Sequence, residues 1–156
     1  MITIQIPGMG KVQLKHLLLD LNGTLTLDGA LLEGVAERVD TLSRQLSVHL
    51  VTADTRGTAQ EIADQLGVDC LRLQRSQEAA QKKGYAESYG AQQVVAVGNG
   101  QNDALMLAAA RVGIVVMGAE GASTEAFTHA DVITTSIDEA LDMLLKPKRL
   151  LATLRH

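Results

Sequence analysis

Aromatic residues are almost missing from this sequence. Among its 156 residues there is no tryptophan, and the only aromatic side chains are Phe127, Tyr85 and Tyr89. Hydrophobic residues nevertheless make up 46% of the chain, so the core must consist of aliphatic side chains. A chain of this length can bury about 70% of the surface that its unfolded form exposes. The composition therefore predicts one domain that spans residues 1–156.

Other absences narrow the class of protein. The single cysteine, Cys70, excludes an intramolecular disulfide bond and fits a reducing compartment. The sequence has no apolar run of about 18 residues, which a membrane-spanning helix needs. Residues 1–11 lack the charged start and the long apolar run of a signal peptide. A net charge of −4 without a basic block argues against nucleic-acid binding. We therefore expect a cytoplasmic protein with neither nucleic acid nor a membrane as its partner.

Short apolar runs that are typical of buried strands alternate with segments of helical spacing. The predicted strands of the main sheet are 17–19, 47–51, 70–73, 93–97, 112–116 and 132–134. The predicted helices are 33–46, 58–66, 77–89, 104–110, 122–128, 137–145 and 147–155. Residues 1–15 predict an N-terminal β-hairpin, and Asp28-Gly29 within 25–32 predicts a small flap hairpin. This order predicts an α/β fold with a doubly wound, Rossmann-like and mainly parallel sheet.

Polar residues follow three of the predicted parallel strands. Asp20 follows the first, Thr52 and Asp54 follow the second, and Asn99 and Asp103 follow the fourth. In open α/β sheets, ligands bind at the carboxyl ends of the strands, next to the point where the strand order reverses. We therefore expect these side chains to converge at one edge of the sheet.

The same residue types suit one kind of chemistry. A carboxylate nucleophile, a hydroxyl group and a lysine are what phosphoryl transfer through an acyl phosphate requires. The helix 77–89 offers either Lys82 or Lys83 as the cation. Mg²⁺ prefers oxygen ligands and usually keeps waters and substrate phosphate in its coordination shell. The pattern therefore predicts a Mg²⁺-dependent phosphoryl-transfer site.

Four ordered motifs carry a family resemblance. They are Asp20-Leu21-Asn22-Gly23-Thr24, Thr52-Ala53-Asp54, the lysine on the helix 77–89, and Gly98-Asn99-Gly100-Gln101-Asn102-Asp103. In this order they resemble the motifs of the haloacid dehalogenase superfamily. The likeness is closer to the phosphorylation domain of P-type ATPases, and above all to the small soluble P-type-ATPase-like proteins. It covers roughly residues 14–145.

The resemblance implies a role for each matching residue. Asp20 is expected to be the nucleophile, and Asn22 occupies the position of the acid/base residue. The residues expected to bind the phosphoryl group are Gly23, Thr52, Ala53 and Lys82. The residues expected around Mg²⁺ are Asp20, Asn22 through its backbone carbonyl, Asn99 and Asp103. Lys82 is preferred to Lys83 because Lys82, Ala86 and Tyr89 fit the family's spacing of a lysine and then apolar residues on one helix face.

Two asparagines depart from the family pattern. Asn22 replaces the acid/base carboxylate, and Asn99 replaces a carboxylate that most relatives supply to the metal. An amide can neither protonate a leaving group nor activate water. The resemblance therefore implies a slow hydrolase of phosphate monoesters, acyl phosphates or, weakly, ATP. The alternative is a catalytically reduced protein that binds phosphate or regulates a partner.

The spacing of the motifs leaves no room for a cap domain. Residues 28–51 and 55–82 are each largely consumed by one helix and one strand. In this superfamily, capless members act on macromolecules or close their site with a neighbouring subunit. The phosphorylated substrate is therefore expected to be either a macromolecule or a small molecule enclosed with the help of a second copy.

Overall fold

The structure is a computed structural model in which residues 1–54 and 57–156 are described. The strands are β1 (Ile2–Ile6), β2 (Gly10–Leu14), β3 (His16–Leu19), β4 (Thr26–Leu27), β5 (Ala30–Leu31), β6 (Ser47–Thr52), β7 (Asp69–Arg72), β8 (Val94–Gly98), β9 (Val112–Val116) and β10 (Val132–Thr134). The helices are α1 (Val35–Ser43), α2 (Thr58–Leu66), α3 (Glu78–Ser88), α4 (Ala104–Ala109), α5 (Thr124–His129), α6 (Ile137–Leu145) and α7 (Pro147–Leu154). No helix within the described ranges has the length and apolarity needed to cross a membrane.

The main sheet has six strands in the order β10-β9-β8-β3-β6-β7. Every neighbouring pair in it is parallel. The chain starts in the centre with β3, continues outward through β6 and β7, and then returns to the other side through β8, β9 and β10. The strand order therefore reverses at β3, which confirms the predicted doubly wound sheet and puts Asp20 beside the switch point.

The central strands are buried on both faces, as parallel sheets require. Leu17 and Leu19 pack into one aliphatic cluster, whereas Leu18 points to the other face and packs into a second. All three leucines are fully buried. Successive side chains of a strand point to opposite faces, so each central strand supplies both clusters. Phe127 remains outside the core, at 42% exposed, in agreement with the predicted aliphatic core.

Two antiparallel hairpins stand outside the main sheet. β1 pairs with β2 from Ile2 opposite Leu14 to Ile6 opposite Gly10, which confirms the N-terminal hairpin. β4 pairs with β5, and the turn between them has φ values of 51° at Asp28 and 85° at Gly29. Two consecutive positive φ values are the signature of the tight hairpin turn expected for an Asp-Gly pair. The second predicted hairpin therefore forms directly after the Asp20 loop.

Two helices begin two residues later than predicted, because local capping decides where they start. α1 begins at Val35 rather than at residue 33, since Gly34 adopts a left-handed conformation with φ of 85°. α5 begins at Thr124 rather than at residue 122, because the Ser123 hydroxyl accepts a hydrogen bond from the backbone N–H of Ala126. Among the described residues, the segments between β3 and β7 contain only β4, β5, α1, β6 and α2. The capless arrangement expected from the spacing is thus retained.

Candidate active site

The carboxyl ends of β3, β6 and β8 bring together the residues predicted from the sequence. Leu19, the last residue of β3, is in register with Leu50 of β6 and Val97 of β8, so the polar residues after them meet at one edge. A cavity of about 290 Å³ opens there. The predicted site residues that line it are Asp20, Asn22, Thr52, Ala53, Lys82 and Asn99. Asp20 is nevertheless largely buried, at 7% exposed.

A buried lysine forms the electrostatic centre of the site. Lys82 Nζ donates hydrogen bonds to Asp20 Oδ1 at 2.7 Å and to Asp103 Oδ1 at 2.6 Å. Its side chain is 1% exposed, and a buried charge needs such partners to be tolerated. Burial by itself lowers the pKa of Lys82, but the two carboxylates outweigh burial and raise the pKa above its usual value. Lys82 is therefore a permanent cation beside the expected nucleophile.

The choice between the two lysines is decided by where their side chains lie. Lys83 is exposed on α3, and its Nζ lies 3.5 Å from Glu87 Oε1, one turn further along the helix. Lys82 contacts Asp20 directly. The structure therefore brings Lys82, and not Lys83, to the site.

Asp103, which was expected among the metal ligands, is engaged by groups of the protein itself. Its Oδ1 accepts from Lys82, and its Oδ2 accepts from the backbone N–H groups of Asn99 at 3.0 Å and Gly100 at 2.9 Å. Both carboxylate oxygens are thus engaged, and the side chain is 0% exposed. Burial and the charge of Asp20 raise the pKa of Asp103 to about 6, although Lys82 opposes them. Asp103 therefore positions Lys82 and the loop after β8, and its role beside a metal stays a prediction.

Thr24 contacts two site residues, which the sequence reading did not anticipate. Its hydroxyl oxygen lies 3.0 Å from Asp20 Oδ2 and 3.2 Å from Asn99 Oδ1, and the residue is 1% exposed. The hydroxyl can donate its proton to one of the two oxygens at a time. Thr24 belongs to the first motif, but no periodic pattern in the sequence marks it as a contact of Asp20 and Asn99. The two acceptor oxygens therefore converge on one point.

Two glycines allow this close packing. Gly23 has a φ of 77°, and a Cβ atom there would lie 2.5 Å from Asn99 Nδ2. A Cβ atom on Gly98 would lie 2.5 Å from Asp103 Cγ. Gly23 was expected to bind the phosphoryl group through its backbone, and it lies buried between Asn22 and the Asn99 side chain. Both glycines therefore let a polar side chain approach the backbone at the floor of the site.

Replacing Gly98 by alanine should destabilise the protein by about 1–3 kcal/mol, the usual cost of overpacking a rigid core. The neighbour is the fully buried carboxylate of Asp103, which accepts hydrogen bonds from Lys82 and from two backbone N–H groups of the loop, so it cannot move aside freely. Gly84→Ala on α3 is the matched control, since a Cβ atom there meets nothing within 4 Å, and we expect it to stabilise by about 0.5–1 kcal/mol. Urea unfolding of both variants measures the difference. Equal stabilities for Gly98→Ala and the wild type would contradict the packing described here.

The oxygen donors at the site fit a hard cation. Asp20 Oδ2 and Asn99 Oδ1 face the same hydroxyl group, and Asn22 is exposed at the rim of the cavity. Within the described part of the chain, no group of three or more His, Cys, Asp or Glu residues could hold a metal ion. One carboxylate and one amide oxygen suit Mg²⁺, because Mg²⁺ keeps several waters and takes its remaining ligands from substrate phosphate.

Thr52 is the last residue of β6 and Asp54 follows the strand, and their side chains have different contacts. Thr52 is 3% exposed and lines the cavity with Ala53. Asp54 Oδ2 accepts a hydrogen bond from the backbone N–H of Ala59 at 2.8 Å, in the first turn of α2. A carboxylate in this position satisfies a free N–H group of the helix N-terminus. Thr52 therefore faces the cavity, while Asp54 connects the motif to α2.

Three residues that line the cavity were not among the predicted site residues, namely Glu78, Gly100 and Asn102. Glu78, the first residue of α3, accepts a hydrogen bond through Oε2 from Asn102 Nδ2 at 2.9 Å, and both residues line the cavity. Nothing local in the sequence distinguishes Glu78 from other helical glutamates, because its contact with Asn102 joins segments 24 residues apart.

Comparison with known proteins gives relatives of two kinds. The uncharacterized protein MJ0073 of Methanocaldococcus jannaschii is 45% identical over 62 residues, which are 40% of this chain and 67% of that protein. The ATP-binding subunit of the potassium-transporting ATPase of Streptomyces coelicolor is 32% identical over 111 residues, which are 70% of this chain and 16% of the subunit. The chain thus spans only a small part of the transport ATPase that it matches. No family model matches the chain.

Solved structures agree on the fold. The 3-deoxy-D-manno-octulosonate 8-phosphate phosphatase of Moraxella catarrhalis, solved with magnesium, phosphate and KDO, superposes with a TM-score of 0.69 at 18% identity, covering 91% of this chain and 94% of that chain. The cobalt-bound deoxy-D-mannose-octulosonate 8-phosphate phosphatase of Haemophilus influenzae gives a TM-score of 0.68 at 17% identity, covering 88% and 90%. The chain therefore belongs to one family with the M. jannaschii protein, and its fold is that of the haloacid dehalogenase superfamily, whose motifs it carries.

Proposed function

We propose that this chain is a divalent-metal-dependent phosphohydrolase that forms an aspartyl phosphate on Asp20. The observation that carries the proposal is the position of Asp20, with Lys82 Nζ 2.7 Å from Oδ1 and the Thr24 hydroxyl 3.0 Å from Oδ2. The two contacts hold the carboxylate in one orientation at the wall of the cavity. A positioned carboxylate can attack phosphorus and divide a difficult hydrolysis into two easier steps.

The surrounding residues provide what such a reaction needs. In the first step, an Asp20 oxygen bonds to phosphorus while the bond to the leaving oxygen breaks. The Lys82 ammonium neutralises charge on the phosphoryl oxygens, and the Thr52 hydroxyl donates a hydrogen bond to one of them. Water then attacks phosphorus, which releases phosphate and restores the Asp20 carboxylate.

We propose Mg²⁺ as the metal, held by Asp20, Asn99 and the backbone carbonyl of Asn22. When bound, the cation supplies positive charge that offsets the negative charge of the phosphoryl group. Support comes from the oxygen-only donor set and from the magnesium and cobalt ions in the two phosphatase structures. The substrate is a phosphorylated small molecule or macromolecule, and a second copy of the chain is a candidate for closing the capless site.

The test is to trap the phosphoenzyme. Incubation with radiolabelled acetyl phosphate and Mg²⁺ should label the protein with a bond that resists acid and is cleaved by hydroxylamine, as an acyl phosphate is. A rapid burst followed by slower turnover is expected if hydrolysis of the intermediate limits the rate. A protein that releases phosphate without ever carrying the label would contradict the aspartyl-phosphate route.

A second candidate function is supported by the two amides in the site. Asn22 cannot exchange protons, and Asn99 brings no charge to the cation. Both features suit a protein that binds phosphate or regulates a partner with little turnover. The burst experiment separates the candidates, because a binding protein would retain labelled phosphate without a covalent bond.

Restoring charge at Asn99 should strengthen metal binding. Asn99→Asp should lower the Mg²⁺ concentration for half-maximal phosphoenzyme formation by about tenfold or more, since one added unit charge near the cation is worth on the order of 1–4 kcal/mol. The measurement is Mg²⁺ titration after removal of metal by a chelator. Gln101→Glu serves as the control, because it adds the same charge to the same loop at an exposed side chain that does not line this cavity. An unchanged Mg²⁺ requirement in Asn99→Asp would remove Asn99 from the proposed ligand set.

A further inference from the structure

Glu78 lies on a wall that two cavities share. The smaller cavity, of about 290 Å³, contains Asp20 and Lys82. A larger cavity of about 570 Å³ adjoins it and is lined by Ser76, Ala79, Leu105 and Glu125 among others. Glu78 and Asn102 line both cavities, and the hydrogen bond of 2.9 Å between them spans the boundary.

The two adjoining cavities suggest where the parts of a substrate would lie, and this inference rests on the proposed function. The phosphoryl group occupies the smaller cavity, beside Asp20 and Lys82. A leaving group too large for that space extends into the larger cavity. The bond that breaks, between phosphorus and the leaving oxygen, then lies near the boundary and next to Glu78.

The chemistry of the lining residues singles out Glu78. Among the described residues that line the smaller cavity, Asp20 and Glu78 are the only carboxylates. Asp20 is the nucleophile, and Asn22 cannot transfer protons. Glu78 Oε2 accepts from Asn102, whereas Oε1 has no hydrogen-bond partner in the described part of the chain. The hydrogen bond to Oε2 therefore holds the carboxylate in place and leaves Oε1 available for proton transfer.

We infer that Glu78 is the general acid and general base of this site. In the first step, protonated Glu78 gives its proton to the leaving oxygen as the bond from that oxygen to phosphorus breaks and the bond from Asp20 forms. In the second step, the Glu78 carboxylate takes a proton from the attacking water. The water oxygen bonds to phosphorus, the bond to Asp20 breaks, and phosphate leaves. Glu78 ends protonated, so one water is consumed per substrate and the cycle is balanced.

Charged groups face Glu78 from its own helix and from the other walls of the two cavities. Lys82 follows it by one turn on α3, and residues at this spacing are neighbours on a helix surface. The ammonium of Lys82 is already shared between Asp20 and Asp103. Asp20 faces Glu78 across the smaller cavity, and Glu125 of α5 faces it across the larger one. In the phosphoenzyme the Asp20 carboxyl group is bonded to phosphorus as a mixed anhydride, and Asp103 is present in every variant compared below.

The test follows hydrolysis of the phosphoenzyme in Glu78→Gln. Phosphoenzyme should still form with acetyl phosphate, whose leaving group needs little protonation. Its hydrolysis should slow by about 10²-fold or more, the usual contribution of general acid–base catalysis. In the wild type the hydrolysis rate should fall as acidification protonates the carboxylate, and this dependence should vanish in the variant. Glu87→Gln is the matched control, because Glu87 lies on the same helix in an exposed pair with Lys83.

Restoring hydrolysis with a second substitution distinguishes proton transfer by Glu78 from a merely structural role of that residue. Asn22→Asp adds a carboxylate to the same cavity and should restore hydrolysis in Glu78→Gln by about tenfold or more. Hydrolysis at the wild-type rate in Glu78→Gln, with an unchanged pH dependence, would overturn the role of Glu78 and leave the aspartyl phosphate standing. Absence of any phosphoenzyme in the wild type would overturn the proposed function and this inference with it.

Discussion

Replacing Asp20 by asparagine should eliminate phosphoenzyme formation and reduce phosphate release by about 10⁴-fold or more, the scale on which removing a catalytic nucleophile acts. An amide oxygen cannot form the acyl phosphate, and no other carboxylate among the described residues lies in contact with Lys82 except the fully buried Asp103. The fold should persist, because Lys82 keeps its hydrogen bond of 2.6 Å to Asp103. The measurement combines phosphoenzyme trapping with thermal unfolding.

Asp40→Asn is the matched control for Asp20→Asn. Asp40 is exposed on α1 and pairs only with Arg44 at 2.9 Å among the described residues, so the same substitution there should leave turnover and stability nearly unchanged. Wild-type turnover in Asp20→Asn would mean that the phosphate release comes from other chemistry. Loss of cooperative unfolding in Asp20→Asn would instead identify Asp20 as a structural residue.

Replacing Lys82 by methionine should destabilise the protein by about 3–5 kcal/mol, the cost of removing one partner from a buried ion pair. Two carboxylates, Asp20 and Asp103, would remain in the buried site without their cation. The matched substitution Lys83→Met removes an exposed pair with Glu87 and should cost less than about 1 kcal/mol. Urea unfolding at neutral pH gives both free energies. Equal effects of the two substitutions would contradict the burial of Lys82 between the two carboxylates.

The loss of stability caused by Lys82→Met should become smaller as the pH falls. In the wild type, burial and Asp20 already raise the pKa of Asp103 to about 6, and loss of Lys82 should raise this pKa further. A carboxyl group with a raised pKa in the folded state keeps a proton that the unfolded chain releases at pH values above ~3.9. The free energy of unfolding therefore falls as pH rises through this window. The Lys82→Met protein should therefore have its lowest free energy of unfolding above about pH 7 and should recover part of its stability on acidification.

Helix and strand boundaries were predictable where one local signal decides them. α2 runs from Thr58 to Leu66 as predicted, because Gly67 closes it in a left-handed conformation with φ of 67°. β9 and β10 also match their predicted ranges, since each is a short apolar run between turn residues. Where a cap overrides the apolar spacing, as Gly34 does before α1, the prediction failed by a few residues.

The site was predictable at the level of motifs, and its contacts were not. The buried residues of α3 are Lys82 and Ala86, so the helix has no apolar stripe to show which of its faces packs against the sheet. Choosing Lys82 over Lys83 from the sequence therefore depended on a family resemblance. The hydrogen bonds of Asp103 were not predictable, because its backbone partners, Asn99 and Gly100, come close only once the loop after β8 is folded. Glu78 and Thr24 were missed for the same reason.

The central claim is that Asp20 carries the phosphoryl group, and chemical identification of the labelled residue tests it most directly. Borohydride reduces an aspartyl phosphate to homoserine, whereas a free aspartate does not react. After reaction with acetyl phosphate and Mg²⁺ followed by borohydride, mass spectrometry of the peptide that contains Asp20 should show homoserine at that position alone. Homoserine at another position, or a phosphoryl group on a histidine or a serine, would contradict the account.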